Sequence, residues 1–216
     1  MEISSEAGIK SIVATPHFYP DQMKIDEFLA KREEAASSLA KFCFEAKARG
    51  AVLPDVFVGA EVAYFKGIAR SDAVRRLCVL GTDLILVEMP FEKWTDGVVD
   101  EMILMADMPD VTPVIAHFER YIPYQNKGRI KKMIDAGLLI QCNGEAFLDP
   151  DVKKYVEKLM NAGNVDLLGS DCHDLLNRRP ELDLASARIA KTFGIGALEA
   201  VNKRGQELLR NAQKII

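Results

Sequence analysis

A chain of 216 residues, 49% hydrophobic, is long enough to bury one sizeable core and does not require a second domain. Its formal net charge of -4, with both signs interspersed, offers no basic surface for nucleic acid and no anchor for an acidic membrane. No apolar run approaches the ~20 residues of a bilayer span, and Cys43, Cys78, Cys142 and Cys172 are scattered without a Cys-x-x-Cys pair or a secretory leader, which predicts small core residues in a reduced, cytoplasmic protein.

Short β-branched runs alternate with longer segments of helical period. "SIVATPH" (11–17) predicts a strand, and the charged, alanine-rich stretch from Ile25 to Arg49 a helix. The strand "DVFVGAEV" (55–62) follows, then a short helix around Ser71 to Leu77, the strand "DLILVEMP" (83–90) and a helix from Thr95 to Ala106 with Asp96 in its first turn. Next come the strand "VTPVIAHFER" (111–120), the helix "KGRIKKMIDAG" ending at Gly137, the strand "LLIQCNGE" (138–145) and the helix "DPDVKKYVEKLMNAG". That helix ends at Gly163, where glycine suits a left-handed cap. The strand "VDLLGSDCH" (165–173) and two helices, roughly Leu182 to Phe193 and Gly196 to Lys214, close a single domain over residues 1–216. About six strands alternating with seven helices argue for an α/β fold with a parallel sheet covered by helices. Chemistry in such folds gathers where strands end and the next loops begin.

Those positions hold His17 after "IVATP", Glu61 after "VFVGA", Glu88 after "LILV", His117 after "PVIA", and Asp171 with His173 after "DLLGS". All three histidines of the chain are among them. A lone histidine near an apolar run is more often a satisfied core or surface residue than a ligand, and Glu61 alone fits a solvent-facing position on an alternating strand. Glu88 is harder to explain that way, because its strand is apolar on both faces before it and a buried carboxylate is unfavourable unless paired or bound to a cation. Asp171 and His173, two apart, fall on one side of an extended backbone and can reach one site. Imidazole and carboxylate without thiolate suit manganese, iron or zinc. Arg120, three residues after His117, and Arg178, five after His173, carry forks that match phosphate oxygens, although a loop arginine is often simply solvated. Isolated Gly59, Gly144 and Gly169 lack phosphate-loop spacing and fit turns or close packing, and no nucleophile motif supports covalent catalysis.

The ordered set "ATPHF", "GAEV", "VEMPF", "AHFERY" and "GSDCHDLLNRRP", with "VNKRGQELL" near the end, resembles the PHP superfamily. More narrowly, it is similar to the metal-dependent protein-tyrosine phosphatases of bacterial capsule and exopolysaccharide clusters, the CpsB/CapC type. The resemblance implies a distorted (β/α)7 PHP-type barrel with up to three ions, commonly manganese. It also implies dephosphorylation of an autophosphorylated bacterial tyrosine kinase that controls polysaccharide export. By motif position, His17, Glu61, Glu88, His117, Asp171 and His173 would carry metal, while Arg120 and Arg178 would bind the phosphate and act in catalysis. The chemistry implied is metal-assisted hydrolysis of a phosphomonoester, and the phenol leaving group, with a pKa near ~10, needs less help from a general acid than an alkyl alcohol.

This family opens with a strand carrying His-x-His, and the chain has no such pair. The segment "MEISSEAGIKSIV" resembles the helix and loop after that strand, so the expectation is a barrel without its first strand, holding fewer ions. An exposed sheet edge invites pairing with a second copy. Two alternatives share these residues: a PHP-type histidinol-phosphate phosphatase, and a folded but non-catalytic remnant that acts by binding.

Overall fold

The computed structural model describes residues 1–174, 178–180 and 182–216, so Leu175, Leu176 and Asn177 of "HDLLNRRP", and Glu181, lie outside the described residues. In chain order the elements begin with α1 (Glu2–Glu6), β1 (Ser11–Ala14), β2 (His17–Phe18), α2 (Ile25–Ala48), β3 (Asp55–Val58) and β4 (Glu61–Ala63). A 3-10 turn at Ile68–Arg70 leads to α3 (Val74–Leu77), β5 (Leu84–Glu88), α4 (Asp96–Ala106) and β6 (Thr112–Ile115). A 3-10 helix at Phe118–Tyr124 precedes α5 (Lys127–Asp135) and β7 (Leu139–Asn143), and another at Gly144–Phe147 precedes α6 (Lys153–Asn161), β8 (Leu167–Gly169), α7 (Asp183–Phe193) and α8 (Ile195–Leu208). Local chemistry sets several boundaries. Thr95 accepts from the Val98 N–H to start α4, Asn126 accepts from Arg129 to start α5, and Gly137 and Gly163 adopt positive φ just past α5 and α6.

Every strand pair is parallel, in the orders β1-β3 and β2-β4-β5-β6-β7-β8. Two expected strands divide. "SIVATPH" breaks at Thr15 and Pro16, and "DVFVGAEV" breaks opposite, at Gly59 and Ala60. Proline has no N–H for the ladder, which gives the first break a local cause, whereas at the second a Cβ on Gly59 would lie 2.9 Å from Val79 Cγ2 of a separate segment, so glycine there permits a close approach. The Gly59 N–H still donates to Ala14 O at 2.9 Å and the Glu61 N–H to Pro16 O at 3.1 Å, so the two strands bend as a pair. The closing helix stops at Leu208, short of the expected Lys214. The tail then returns to the sheet, where the Gln213 N–H donates to Leu80 O and the Ile215 N–H to Val56 O.

Period-two alternation sorts the sheet into two faces. On β5, Ile85 and Val87 join the main core with Val99, Met102 and Met105 of α4, while Leu84, Leu86 and Glu88 take the other face. Register carries that second face across the sheet as a row of partners, His17, Glu61, Leu86, Val114 and Leu139. Its lower part is apolar: Phe57, Val79, Leu84, Val114 and Leu139 pack with Leu208, Leu209 and Ala212 from the end of the chain. The rings of His17, on the first strand of the larger sheet, and His173, beyond its last strand, approach to 3.1 Å between Nε2 atoms. The sheet is therefore curled into a parallel half-barrel with this face inside, in keeping with the expected distorted PHP-type barrel. Among the described residues no strand joins β2 to β8.

Candidate metal centre

Alternation and register deliver the carboxylates. Glu61 opens β4 beside His17, and Glu88 closes β5 two residues above Leu86 on the inner face. Glu61 is 4% exposed, which removes the solvent-facing alternative for it. Alternation alone would have aimed His117 outward, because Ile115 two residues earlier sits in the outer core. His117 instead adopts φ 31 and ψ 55, a left-handed conformation that turns the imidazole inward. Its Nε2 lies 2.9 Å from Glu61 Oε1 and 3.5 Å from Glu88 Oε1.

The second half of the site follows β8. Asp171 has φ +48, so the extended backbone expected for Asp171-x-His173 is replaced by a left-handed turn. The two groups still converge, with His173 Nδ1 2.9 Å from Asp171 O and 3.5 Å from its Oδ1. Arg120 Nη2 donates to Asp171 Oδ2 at 2.6 Å, Arg178 Nη2 donates to the same oxygen, and Arg178 Nη1 lies 3.2 Å from His173 Nε2. A guanidinium has five N–H donors, so both arginines retain donors after these bonds. Cys172, between the two groups, is exposed and not the small core residue expected, while Cys43, Cys78 and Cys142 are buried. The turn places its thiol toward Asp174 O.

A supporting network escaped the sequence reading. Gln141 Oε1 accepts the His117 N–H at 2.6 Å, Gln141 Nε2 donates to Asn143 Oδ1 at 2.9 Å, and the Asn143 N–H donates to buried Glu119. Gly169 makes room for it, because a Cβ there would stand 2.6 Å from Gln141 Nε2. The Tyr121 hydroxyl oxygen (Oη) lies 3.2 Å from His117 Nδ1 and accepts the Met89 N–H. Two polar residues interrupting "LLIQCNGE" were the available signal, the same kind that singled out Glu61.

Burial pushes the His117 pKa down, but hydrogen bonds to Glu61 and Glu88 outweigh it and hold the ring proton above the ordinary range. The same bond from His117 holds Glu88 below the usual carboxylate range against its burial. Burial raises both Glu119 and Tyr121. Positive charge shared by these carboxylates is therefore favoured, and a cation can take the place of the proton.

The residues fit a divalent ion on a specific observation. His17 Nδ1 is buried without a hydrogen-bond partner and lies 3.9 Å from Glu61 Oε1. An ion held ~2.0–2.2 Å from each of two donors separates them by about 3–4 Å. One ligand atom from each of His17, Glu61 and Glu88 lies within 4.8 Å of the other two.

The family described as "Capsular polysaccharide synthesis, CpsB/CapC" matches residues 1–216. The chain belongs to this family. It is 26% identical over 227 residues to the tyrosine-protein phosphatase CpsB of Streptococcus agalactiae serotype V, covering 100% of this chain and 88% of that protein. The CpsB of Streptococcus pneumoniae is 33% identical over 119 residues, 50% of this chain and 46% of the relative. Among solved structures, one chain described under "Crystal structures of YwqE from Bacillus subtilis and CpsB from Streptococcus pneumoniae, unique metal-dependent tyrosine phosphatases" matches with a TM-score of 0.81. That match is 24% identical and covers 98% of this chain and 85% of the other, a likeness of fold. No helix among the described residues is long and apolar enough to cross a membrane.

Proposed function

We infer that residues 1–216 act as one phosphatase domain that removes phosphate from protein tyrosines, its partner being an autophosphorylated tyrosine kinase of polysaccharide export. The observation that carries this reading is the convergence, on the inner face of one parallel sheet, of an imidazole–carboxylate cluster with an unpartnered His17 nitrogen and of two arginines gathered on Asp171. Membership of a capsular polysaccharide family and relatives named tyrosine-protein phosphatase support the substrate. His17, Glu61, Glu88, His117, Asp171 and His173 would hold one or two ions, manganese before iron or zinc, because oxygen and imidazole donors without thiolate suit these metals. When bound, the ions would supply positive charge against the phosphoryl oxygens and activate water.

The chain's own groups do the positioning. Asp171 holds the guanidinium groups of Arg120 and Arg178 together, so two forks can grip one phosphate and orient it in line. Tyr121 and Gln141 fix the ring and backbone of His117, with Tyr121 Oη available to accept from Nδ1 when Nε2 turns to a cation. Phenolate leaves with a pKa near ~10, so tyrosine needs less help from a proton donor than serine does.

The test strips the protein with chelator, restores manganese, and follows phosphate release from a phosphotyrosine peptide, a phosphoserine peptide and histidinol phosphate. Release from the tyrosine peptide, lost with the metal and regained with it, is the expected result. Faster turnover of histidinol phosphate would overturn the tyrosine assignment, and unchanged turnover in protein shown to be metal-free would overturn the metal assignment.

A further inference from the structure

Beside the cluster, one large apolar side chain is left in the open. Phe91, in the loop after β5, is 50% exposed, although its neighbours Met89 and Trp94 are each 1% exposed. Its ring lies nearly parallel to the His117 imidazole, with centroids 5.8 Å apart and 13° between planes, and sits 5.3 Å from the Tyr121 ring. Trp94 packs on Tyr121 at 5.3 Å, so a column of rings rises from the core and ends in Phe91. Tyr19 lies 5.5 Å from His17 with its ring tilted by only 26°. Two of the three histidines, His17 and His117, are thus faced by an aromatic ring.

Phe91 does not need this position to complete the core: its contact is with the site, and half of its surface remains open. An exposed aromatic face beside a strongly charged site has a definite complement, a ligand with an anionic head and an aromatic body. Phosphotyrosine has that construction. With its phosphate held at the cluster, its phenyl ring begins one oxygen away, and the aromatic surface open beside the cluster is that of Phe91, not of the buried imidazole beneath it. Phosphoserine presents no ring there.

Resting on the proposed phosphatase activity, we propose that Phe91 forms an aryl subsite that selects aromatic over alkyl phosphates. The subsite acts by stacking and apolar burial on the ring while the charged groups hold the phosphate. Tyr19 supplies a second aromatic wall beside His17.

Binding of phenylphosphonate and methylphosphonate to the manganese-loaded chain, measured by calorimetry, tests this without turnover, because a C–P bond replaces the scissile ester. The wild-type chain should prefer the phenyl compound by about tenfold, the range of an aromatic pair with its buried area. Phe91→Ala should bring the ratio close to one, Phe91→Leu, which keeps apolar volume but not a flat face, should bring it partway, and Phe91→Trp should restore it. A ratio that survives both the alanine and leucine variants overturns the subsite. So does a wild-type chain that binds both phosphonates alike. A wild-type chain that binds neither overturns the phosphatase reading, and the subsite with it.

Discussion

The inner face of the sheet has two ends, made from the same strands. At the lower end Leu84, Val114 and Leu139 meet Leu208, Leu209 and Ala212 from the end of the chain, and every group there is satisfied by contact alone. At the upper end Glu61 and Glu88 are drawn onto His117, and Asp171 onto Arg120, buried or half-buried groups that need hydrogen bonds, opposite charge or a cation to be tolerable. The crossover takes two residues on one strand, from Leu86 to Glu88. Apolar packing at one end holds the strands in register, and that register holds the polar groups at the other end within reach of one another. Stability and chemistry are thus separable along a single face, and substitutions at the two ends should fail in different ways.

The largest effect should come from the upper end. Asp171→Asn and His117→Ala should each lower phosphotyrosine hydrolysis by at least about 100-fold and reduce bound metal, with circular dichroism close to that of the unaltered chain. Full metal occupancy in both variants would show that the cluster is a structural ion-pair network. At the lower end, Leu84→Ala should cost about 2–5 kcal/mol in denaturant unfolding while the folded fraction keeps its turnover and metal. Loss of metal without loss of stability would erase the separation between the two ends.

Finer changes sharpen the contrast within the upper end. Arg178→Lys keeps the charge but loses the fork, so activity should fall by about tenfold with metal content unchanged, as measured by peptide hydrolysis alongside elemental analysis. Equal activity would remove Arg178 from the phosphate site. The smallest effect is on pH. The His117 proton is held more firmly than usual, and ion binding must displace it, so metal affinity should weaken as the pH falls through the raised His117 pKa. The protonated ring competes below that value and not above it, so the decline should be at most about tenfold per pH unit for one released proton, beginning above the ordinary ~6.5. Constant affinity from about pH 8 to about pH 6 would show that proton and ion do not share the site.

Much of the fold was legible because it rests on local repetition. Alternating apolar runs and helical segments gave the parallel α/β class, and Gly137 and Gly163 marked helix ends where only a left-handed residue fits. Strand ends also pointed to Glu61, Glu88, His117, Asp171 and His173, since polar groups there interrupt apolar strands. Gln141 and Asn143 carry the same mark, but amides, unlike histidine and carboxylate, suggest no particular chemistry by type.

The chain's own order of residues determined which groups stand at the ends of strands, because alternation and turn chemistry act within a few residues. It could not say where the first two strands bend, since that depends on Gly59 meeting Val79. Nor could it give the inward turn of His117, whose left-handed backbone is held by Gln141 from the neighbouring strand. The sharing of Asp171 by Arg120 and Arg178 and the stacking of Phe91 on His117 likewise join residues from different loops. Such contacts are decided only when the curled sheet closes those loops on one another, because the free energy of each depends on a partner that local sequence does not specify.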